Sequence, residues 1–218
     1  MRAGNDNFQV VALVWQGGGV QGKRAAGVAF VAAAVADVAL AVGVFPGRER
    51  WRRLTKPLLM PTLLIGRERS TQRALALGGV GDVALLADGD AAFTAGLAAF
   101  LAGHVAWIQA LRKRGGSHLV RRHPAVAIPY AVAWLGLNAY LWPHTGRDRY
   151  PVIAYSTALA AMALTALDTG CPATVAGGAL FMTTDTLLAL EKFAGVELPR
   201  HEGWVMATYI AAQALLAS

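Results

Sequence analysis

Long apolar runs, separated by short polar or basic segments, extend over most of the chain. Eight of these runs are candidate membrane helices: Ala25–Phe45, Leu54–Gly66, Ala74–Ala87, Ala91–Leu111, Pro124–Trp142, Tyr150–Leu167, Pro172–Leu190 and Gly203–Ala217. A helix needs roughly 20 apolar residues to cross a bilayer, and about 17 are tolerated. The second, third and eighth runs are shorter, so six or seven spans are alternatives to eight. The pattern therefore predicts an all-α fold, a polytopic transmembrane helical bundle of about eight spans.

The composition agrees with a lipid environment. Of the 218 residues, 56% are hydrophobic and 15% are charged, which is too little charge to cover the surface of a soluble domain of this length. No polar block interrupts the apolar runs, so we expect a single transmembrane helical domain at residues 23–218 after a flexible N-terminal extension at residues 1–22. The segment Gly17–Lys23 fits G-x-x-x-x-G-K, but Arg24 follows it where a phosphate-binding loop has Ser or Thr. We expect no nucleotide site there.

The net charge of +7 raises the question of a nucleic-acid partner. The basic residues stand in short clusters between apolar runs, which is typical of membrane flanks, so we expect no nucleic acid. With eight spans, eleven Lys and Arg residues fall on the side of the termini and nine on the opposite side. This narrow margin favours cytoplasmic termini. Abundant Ala, Gly, Val and Arg indicate a GC-rich bacterial genome, so we expect a multi-pass protein of the bacterial inner membrane. No sequence feature predicts an oligomeric state.

Two aspartates, Asp82 and Asp185, lie inside apolar runs. An ionisable residue in the middle of a membrane helix costs about 2.5–3.5 kcal/mol on insertion scales, so it indicates function by default. Each aspartate stands five residues before the end of its run, and both runs have the same direction in the eight-span topology. Both carboxyls are therefore expected roughly 8 Å below the surface opposite the termini. The alternative for each is a neutral Asp that is hydrogen-bonded to a neighbouring helix.

Two further polar residues, Lys56 and Tyr209, enter the bilayer from that same surface. Tyr209 is expected about 9 Å deep, so four polar groups from four helices are predicted to converge in one layer. Neighbouring carboxyls in an apolar site can share one proton near neutral pH, which provides one general acid and one general base. Lys56 can contact a lipid phosphate, pair with a carboxylate or extend its amine to the interface as helix-end lysines often do.

Other candidate groups are less informative. His104 lies deeper, and a lone buried histidine is more often structural than a ligand. Asp37, in the first run, is either a helix-packing partner or a further part of the site. The five histidines show no metal-ligand spacing, and Cys171 is the sole cysteine, so we expect no metal and no cofactor.

Short motifs follow one another in order along these runs. They are Lys56-Pro57-Leu58, Gly81-Asp82, Phe93, Gly96, Phe100, His104, Tyr155, Met162, Gly178-Ala179-Leu180-Phe181, Asp185, Ala189-Leu190, Lys192-Phe193, Thr208-Tyr209 and Ala212-Gln213. In this order, from about Lys56 to Gln213, the chain resembles the YhhN-type lysoplasmalogenase family of membrane enzymes. It departs from the residues usual in that family at three positions, Trp107, Thr184 and Ile210.

The resemblance implies cleavage of the vinyl ether bond of lysoplasmalogens to a fatty aldehyde and glycerophospho-ethanolamine or -choline. It implies a lysophospholipid substrate, surrounding membrane lipid, and Asp82 and Asp185 as the catalytic pair. Substrate-binding residues are expected at five further positions: Lys56, Tyr209, His104, Tyr155 and Gln213. A vinyl ether hydrolyses through an oxocarbenium ion, and glycosidases stabilise such an ion with two carboxyl groups. The two aspartates thus suit the implied chemistry.

Two other classes of function are compatible with the same residues. A small proton-coupled transporter would use Asp82, Asp185 and Asp37 as proton or cation sites, although the internal repeats common in transporters are not visible in the sequence. A non-catalytic lipid-binding or partner-binding membrane protein would need the two carboxyls to satisfy each other and to be closed to water.

Overall fold

The computed structural model describes residues 20–43 and 47–218. They form eight long helices: α1 (Val20–Val42), α2 (Arg48–Leu64), α3 (Arg69–Ala84), α4 (Asp90–Lys113), α5 (Ile128–Leu141), α6 (Arg149–Asp168), α7 (Pro172–Ala194) and α8 (His201–Leu216). Short helical turns at Leu119–Arg122, Pro124–Ala127 and Gly146–Asp148 lie in the connections, and the described residues contain no strand. The prediction of an all-α bundle is confirmed. The predicted N-terminal extension lies outside the described residues up to residue 19, and residues 20–22 belong to α1.

Among the described residues, five helical segments are long and apolar enough to cross a membrane: Gly22–Val42, Asp90–Lys113, Pro124–Leu141, Gly146–Asp168 and Pro172–Ala194. The remaining helices, α2, α3 and α8, contain 17, 16 and 16 residues. They coincide with the three apolar runs that were too short for an ordinary span. The chain is therefore a helical membrane protein with five candidate spans in its described part, and the total of about eight stays a prediction.

Seven helices form a closed ring. In the order α1, α2, α3, α4, α6, α7 and α8, each helix packs against the next, and α8 packs against α1. Helix α5 lies outside the ring against α6 and α7. Glycines allow close approaches between helices: a Cβ on Gly177 would lie 2.9 Å from the backbone nitrogen of Leu216, and one on Gly178 would lie 2.9 Å from the Cβ of Ala166. Small residues permit such packing in membranes, where no hydrophobic effect drives helices together.

The exterior of the bundle is apolar and part of its interior is polar. On α1 and α5, Val28 and Val132 expose 70% and 61% of their surface. The buried residues include Asp37, Asp82, His104 and Gln213. A water-soluble bundle has the opposite distribution, so this arrangement is the one expected in lipid.

Large aromatic side chains mark one side of the bundle. Apart from α4 and α5, successive helices are joined by short connections and alternate in direction. A hydrogen bond from Ser117 N to Asp168 O (2.9 Å) joins the ends of α4 and α6 on the opposite side. The exposed aromatic residues at helix ends on the first side are Trp51, Trp142, Tyr150 and Trp204. Trp and Tyr favour the membrane interface, so we call this side, on which these four residues lie, the aromatic surface.

Helix α7 ends at this surface in a glycine cap. Gly195 has a left-handed backbone (φ 65°), and its N–H donates to the Glu191 carbonyl at 3.1 Å. The bond from Gly195 to Glu191 is that of an αL C-cap, and the Val196 N–H donates to the Leu190 carbonyl at 3.1 Å. The cap fixes the last turn of α7, which carries Lys192, above the turn that carries Asp185.

Candidate active site

A cavity of about 160 Å³ opens within the bundle close to the aromatic surface. Of the long helices that the structure describes, all except α1 contribute residues to its wall. Leu85, the first residue after α3, lines it as well. Most of the wall is apolar. The polar residues that line it are Lys56, Asp82, Asn138, Tyr155, Ser156, Thr184, Asp185, Lys192 and Tyr209.

Asp82 forms one polar centre of the cavity. The carboxyl is almost fully buried and accepts a 2.8 Å hydrogen bond from the Tyr209 hydroxyl. The Lys56 ammonium lies 3.9 Å from the other carboxyl oxygen. Behind Tyr209, the Gln213 amide donates to the tyrosine oxygen at 3.2 Å, and the Trp107 indole N–H donates to Gln213 at 3.2 Å. This chain of hydrogen bonds fixes the tyrosine against the carboxyl.

Glycines on α3 make room for these contacts. A Cβ on Gly78 would lie 2.9 Å from Nε2 of Gln213 and 3.3 Å from the Tyr209 hydroxyl. A Cβ on Gly81, which immediately precedes Asp82, would lie 2.6 Å from the Phe100 ring. The missing side chains let α4 and α8 approach the face of α3 that carries the carboxyl, so the glycines beside Asp82 serve close packing.

Asp185 forms the second polar centre. Its carboxyl accepts a 2.6 Å hydrogen bond from the Tyr155 hydroxyl. Nε2 of His104 lies 3.1 Å from that hydroxyl and 3.5 Å from the carboxyl. Because Tyr155 donates to Asp185, a proton on Nε2 of His104 would complete the network by donating to the tyrosine oxygen. Nδ1 of the buried ring has no hydrogen-bond partner among the described residues.

The ring of Phe181 packs between the two centres. It makes edge-on contacts with Tyr209 at 5.6 Å and with His104 at 4.9 Å, and it is 2% exposed. The apolar ring of Phe181 separates the tyrosine from the histidine. Each carboxyl faces the same cavity and accepts a hydrogen bond from its own tyrosine hydroxyl.

The structure brings together five of the seven candidate residues on the cavity wall: Lys56, Asp82, Tyr155, Asp185 and Tyr209. The other two, His104 and Gln213, do not line the cavity but support Tyr155 and Tyr209 from behind. Of the roles considered for Lys56, the geometry matches pairing with a carboxylate.

The sequence did not single out a polar pair on the far wall, between α5 and α6. Ser156 donates a 3.1 Å hydrogen bond to the side-chain oxygen of Asn138 and accepts one from the Trp134 indole at 3.2 Å. Asn138 and Ser156 both line the cavity. The sequence signal for this pair was Asn138, a polar residue near the end of an otherwise apolar run.

Asp37 lies outside the cavity wall. It is fully buried, and the Thr55 hydroxyl on α2 donates to its carboxyl at 2.6 Å. This contact joins α1 to α2, so the geometry favours the helix-packing interpretation. Among the described residues, no cluster of three His, Cys, Asp or Glu residues is arranged to hold a metal ion.

Sequence comparison assigns the chain to a family. A sequence model described as the YhhN family matches residues 51–218, a stretch that contains every residue of the cavity wall. The chain belongs to the YhhN family. The resemblance predicted from the ordered motifs is thereby confirmed.

Two curated relatives of this family member are similar over part of their length. Proteins named lysoplasmalogenase from Mycobacterium bovis and Mycobacterium tuberculosis are each 37% identical to it over 139 residues. The match covers 59% of this chain and 52% of each relative, so the chain spans about half the length of the curated relatives it matches. No solved structure matches the chain significantly.

Proposed function

We propose that the chain is a lysoplasmalogenase-like membrane hydrolase in which Asp82 and Asp185 are the acid–base pair. The observation that carries the proposal is that two carboxyls face one apolar cavity, each accepting a hydrogen bond from a tyrosine hydroxyl. The name of the mycobacterial relatives supports the same reaction class. An amphiphilic substrate suits a cavity of which half the lining residues are leucine, valine and phenylalanine.

The surroundings of the two carboxyls support different roles. The Lys56 ammonium, 3.9 Å from Asp82, stabilises the ionised carboxylate, which suits the base. Asp185 faces Tyr155 and His104, and no lysine lies within ion-pair distance of it among the described residues. Asp185 is therefore assigned as the acid, which must carry its proton into the reaction.

The reaction begins with proton transfer from the Asp185 carboxyl to the outer alkene carbon of the vinyl ether. The C=C electron pair forms the new C–H bond, and the inner carbon becomes an oxocarbenium ion next to the ether oxygen. Water adds to that carbon while the Asp82 carboxylate takes a proton from it, which gives a hemiacetal. Two carboxyl groups beside the cation stabilise its charge, as they do in glycoside hydrolysis.

The hemiacetal then collapses. The Asp185 carboxylate takes the hydroxyl proton, the C–O bond to glycerol breaks, and protonated Asp82 gives its proton to the departing oxygen. The products are a fatty aldehyde and glycerophospho-ethanolamine or -choline, and one water is consumed. Both aspartates return to their starting protonation states, so the cycle needs no cofactor.

The position of the cavity supports a substrate that enters from the interface. The aromatic surface is close to both carboxyls, so the head group can stay at the interface while the alkenyl chain enters the apolar part. Asn138 and Ser156 lie on the cavity wall, where their side chains can form hydrogen bonds with the glycerol hydroxyl. With cytoplasmic termini in a bacterial inner membrane, the cavity would open towards the outer side of that membrane.

The test is a comparison of substrates with purified protein in detergent. We expect aldehyde from 1-alkenyl-lysophosphoethanolamine and no product from its 1-alkyl analogue, which cannot accept a proton at carbon. In D₂O the aldehyde should carry one deuterium on the carbon next to its carbonyl, because that carbon is protonated. An aldehyde without this deuterium would contradict the mechanism, and absence of product from folded protein would contradict the proposed activity.

A further inference from the structure

Of the residues that the structure describes, two lysines line the cavity, and their surroundings differ. Lys56 lies beside Asp82, with 3.9 Å between the ammonium and the carboxyl. Lys192 has no carboxylate partner among the described residues, and its ammonium lies over the Phe93 ring, 4.7 Å from the centroid. The neighbouring Glu191 is directed to His201, whose Nε2 is 3.2 Å from the glutamate. Lys56 thus has a carboxylate partner, whereas Lys192 has none among the described residues.

The level of Lys192 in the bundle is defined by its helix. It stands seven residues after Asp185 on α7, which places the two Cα atoms about 10 Å apart along the helix axis. Lys192 is the nearer of the two to the aromatic surface, because α7 ends there. The Phe93 and Phe193 rings, in edge-on contact at 6.1 Å, complete the wall around it.

A cation at this level matches the chemistry of the proposed substrate. In a lysophospholipid the three-carbon glycerol unit separates the phosphate from the ether oxygen, so a vinyl ether at Asp185 leaves the phosphate nearer to the interface. A lysine is a strong partner for a phosphate, since charged hydrogen bonds are short and about twice as strong as neutral ones. The Phe93 ring holds the ammonium at the mouth without neutralising it.

We propose that Lys192 binds the phosphate of the lipid head group at the mouth of the cavity. This inference rests on the proposed function, because it takes the orientation of the substrate from the two aspartates. It gives the two lysines separate tasks: Lys56 acts on the charge of Asp82, and Lys192 selects phosphate-bearing lysolipids.

The experiment measures binding and turnover of two lipids by the full chain and three variants. The variants are Lys192→Met, Lys192→Arg and, as a matched control from the last turn of α4, Lys113→Met. The lipids are 1-alkenyl-lysophosphoethanolamine and phosphate-free 1-alkenylglycerol. Binding is measured separately with the non-hydrolysable 1-alkyl-lysophosphoethanolamine, with inorganic phosphate as competitor.

We expect Lys192→Met to raise KM for the phospholipid, and Kd for its alkyl analogue, by about ten- to a hundredfold. The kcat for the phospholipid and the KM for 1-alkenylglycerol should stay near wild type, Lys192→Arg should keep most of the affinity, and Lys113→Met should change nothing. Equal Kd values for wild type and Lys192→Met, with the variant folded by thermal melting, would overturn the inference. So would displacement of the lipid by millimolar inorganic phosphate, which would assign the site to free phosphate.

The binding arm separates this inference from the proposed function. If wild type binds the alkyl lipid through Lys192 but releases no aldehyde from either alkenyl lipid, the phosphate site stands and the hydrolase proposal fails. If aldehyde is released and Lys192→Met alters neither KM nor Kd, the hydrolase proposal stands and the phosphate site fails.

Discussion

The Tyr209 hydroxyl donates a 2.8 Å hydrogen bond to Asp82, 127 positions away in the sequence. Tyr209 itself accepts a hydrogen bond from Gln213, one helical turn further along α8. The tyrosine therefore has a fixed direction of donation, towards the carboxyl. In the proposed reaction this bond stabilises the Asp82 carboxylate until it removes a proton from water.

Replacement of Tyr209 by Phe removes this donor and leaves the ring in place. A hydrogen bond to a charged group contributes about 1.5–3 kcal/mol, so we expect kcat to fall roughly tenfold or more and KM to change little. The measurement is steady-state aldehyde release. Tyr140→Phe is the matched control, because Tyr140 is half exposed on α5 and does not line the cavity. An unchanged kcat for Tyr209→Phe would remove the tyrosine from the mechanism.

His104 and Tyr155 are expected to act as one unit upon Asp185. The histidine is 3.1 Å from the Tyr155 hydroxyl, which donates to the carboxyl at 2.6 Å. Tyr155→Phe, His104→Ala and the double variant form a cycle in which the losses in kcat/KM should not add, with a coupling of about 0.5–3 kcal/mol. Strictly additive losses would mean that His104 stabilises the bundle without orienting the tyrosine.

Substitution of Gly78 tests whether the site needs the close packing of helices behind Asp82. A methyl group at this position would meet Nε2 of Gln213 at 2.9 Å and displace the support of Tyr209. We expect Gly78→Ala to lower kcat clearly while the helical content, measured by circular dichroism, is retained. Gly136→Ala is the control, since a Cβ there meets nothing within 4 Å, and it should stabilise α5 by about 0.5–1 kcal/mol. Full activity of Gly78→Ala would show that the glycine is not needed for the site.

Part of the candidate site could be predicted from the positions of residues in the sequence. Asp82 and Asp185 lie at equal distances from the ends of their apolar runs, and both carboxyls indeed line one cavity with Lys56 and Tyr209. Helix rise alone is enough to predict depth, because each residue advances a membrane helix by a constant amount. The direction of each side chain around its helix depends on packing, and depth does not determine it.

The features that the sequence did not predict depend on the direction of each side chain around its helix and on which helices are neighbours. His104 and Gln213 lie behind Tyr155 and Tyr209 and not on the cavity wall. Asn138 becomes part of the wall only because α5 packs against α6 outside the ring. A run of apolar residues carries no information about which helices will be neighbours, so these contacts required the three-dimensional arrangement.

Asp37 provides a test of a buried acid that the proposed mechanism does not use. Asp37→Asn keeps an oxygen that accepts from Thr55, whereas Asp37→Ala leaves the threonine hydroxyl unpaired, which costs about 1–3 kcal/mol. We expect the Ala variant to melt at lower temperature than the Asn variant, with aldehyde release per folded molecule close to wild type in both. A large loss of kcat in a stable Asp37→Asn protein would instead make this carboxyl part of the proton pathway.

The most direct test of the acid–base pair is aldehyde release from 1-alkenyl-lysophosphoethanolamine by wild type, Asp82→Asn and Asp185→Asn. Asn preserves the size of the side chain but neither gives nor takes the proton, so each variant should lose about 10²–10⁴ in kcat. Asp90→Asn, at the start of α4 and outside the cavity, should keep wild-type activity. Thermal melting of each protein controls for folding. If either Asp82→Asn or Asp185→Asn, folded as judged by melting, retains the wild-type kcat, the two-carboxyl mechanism is contradicted.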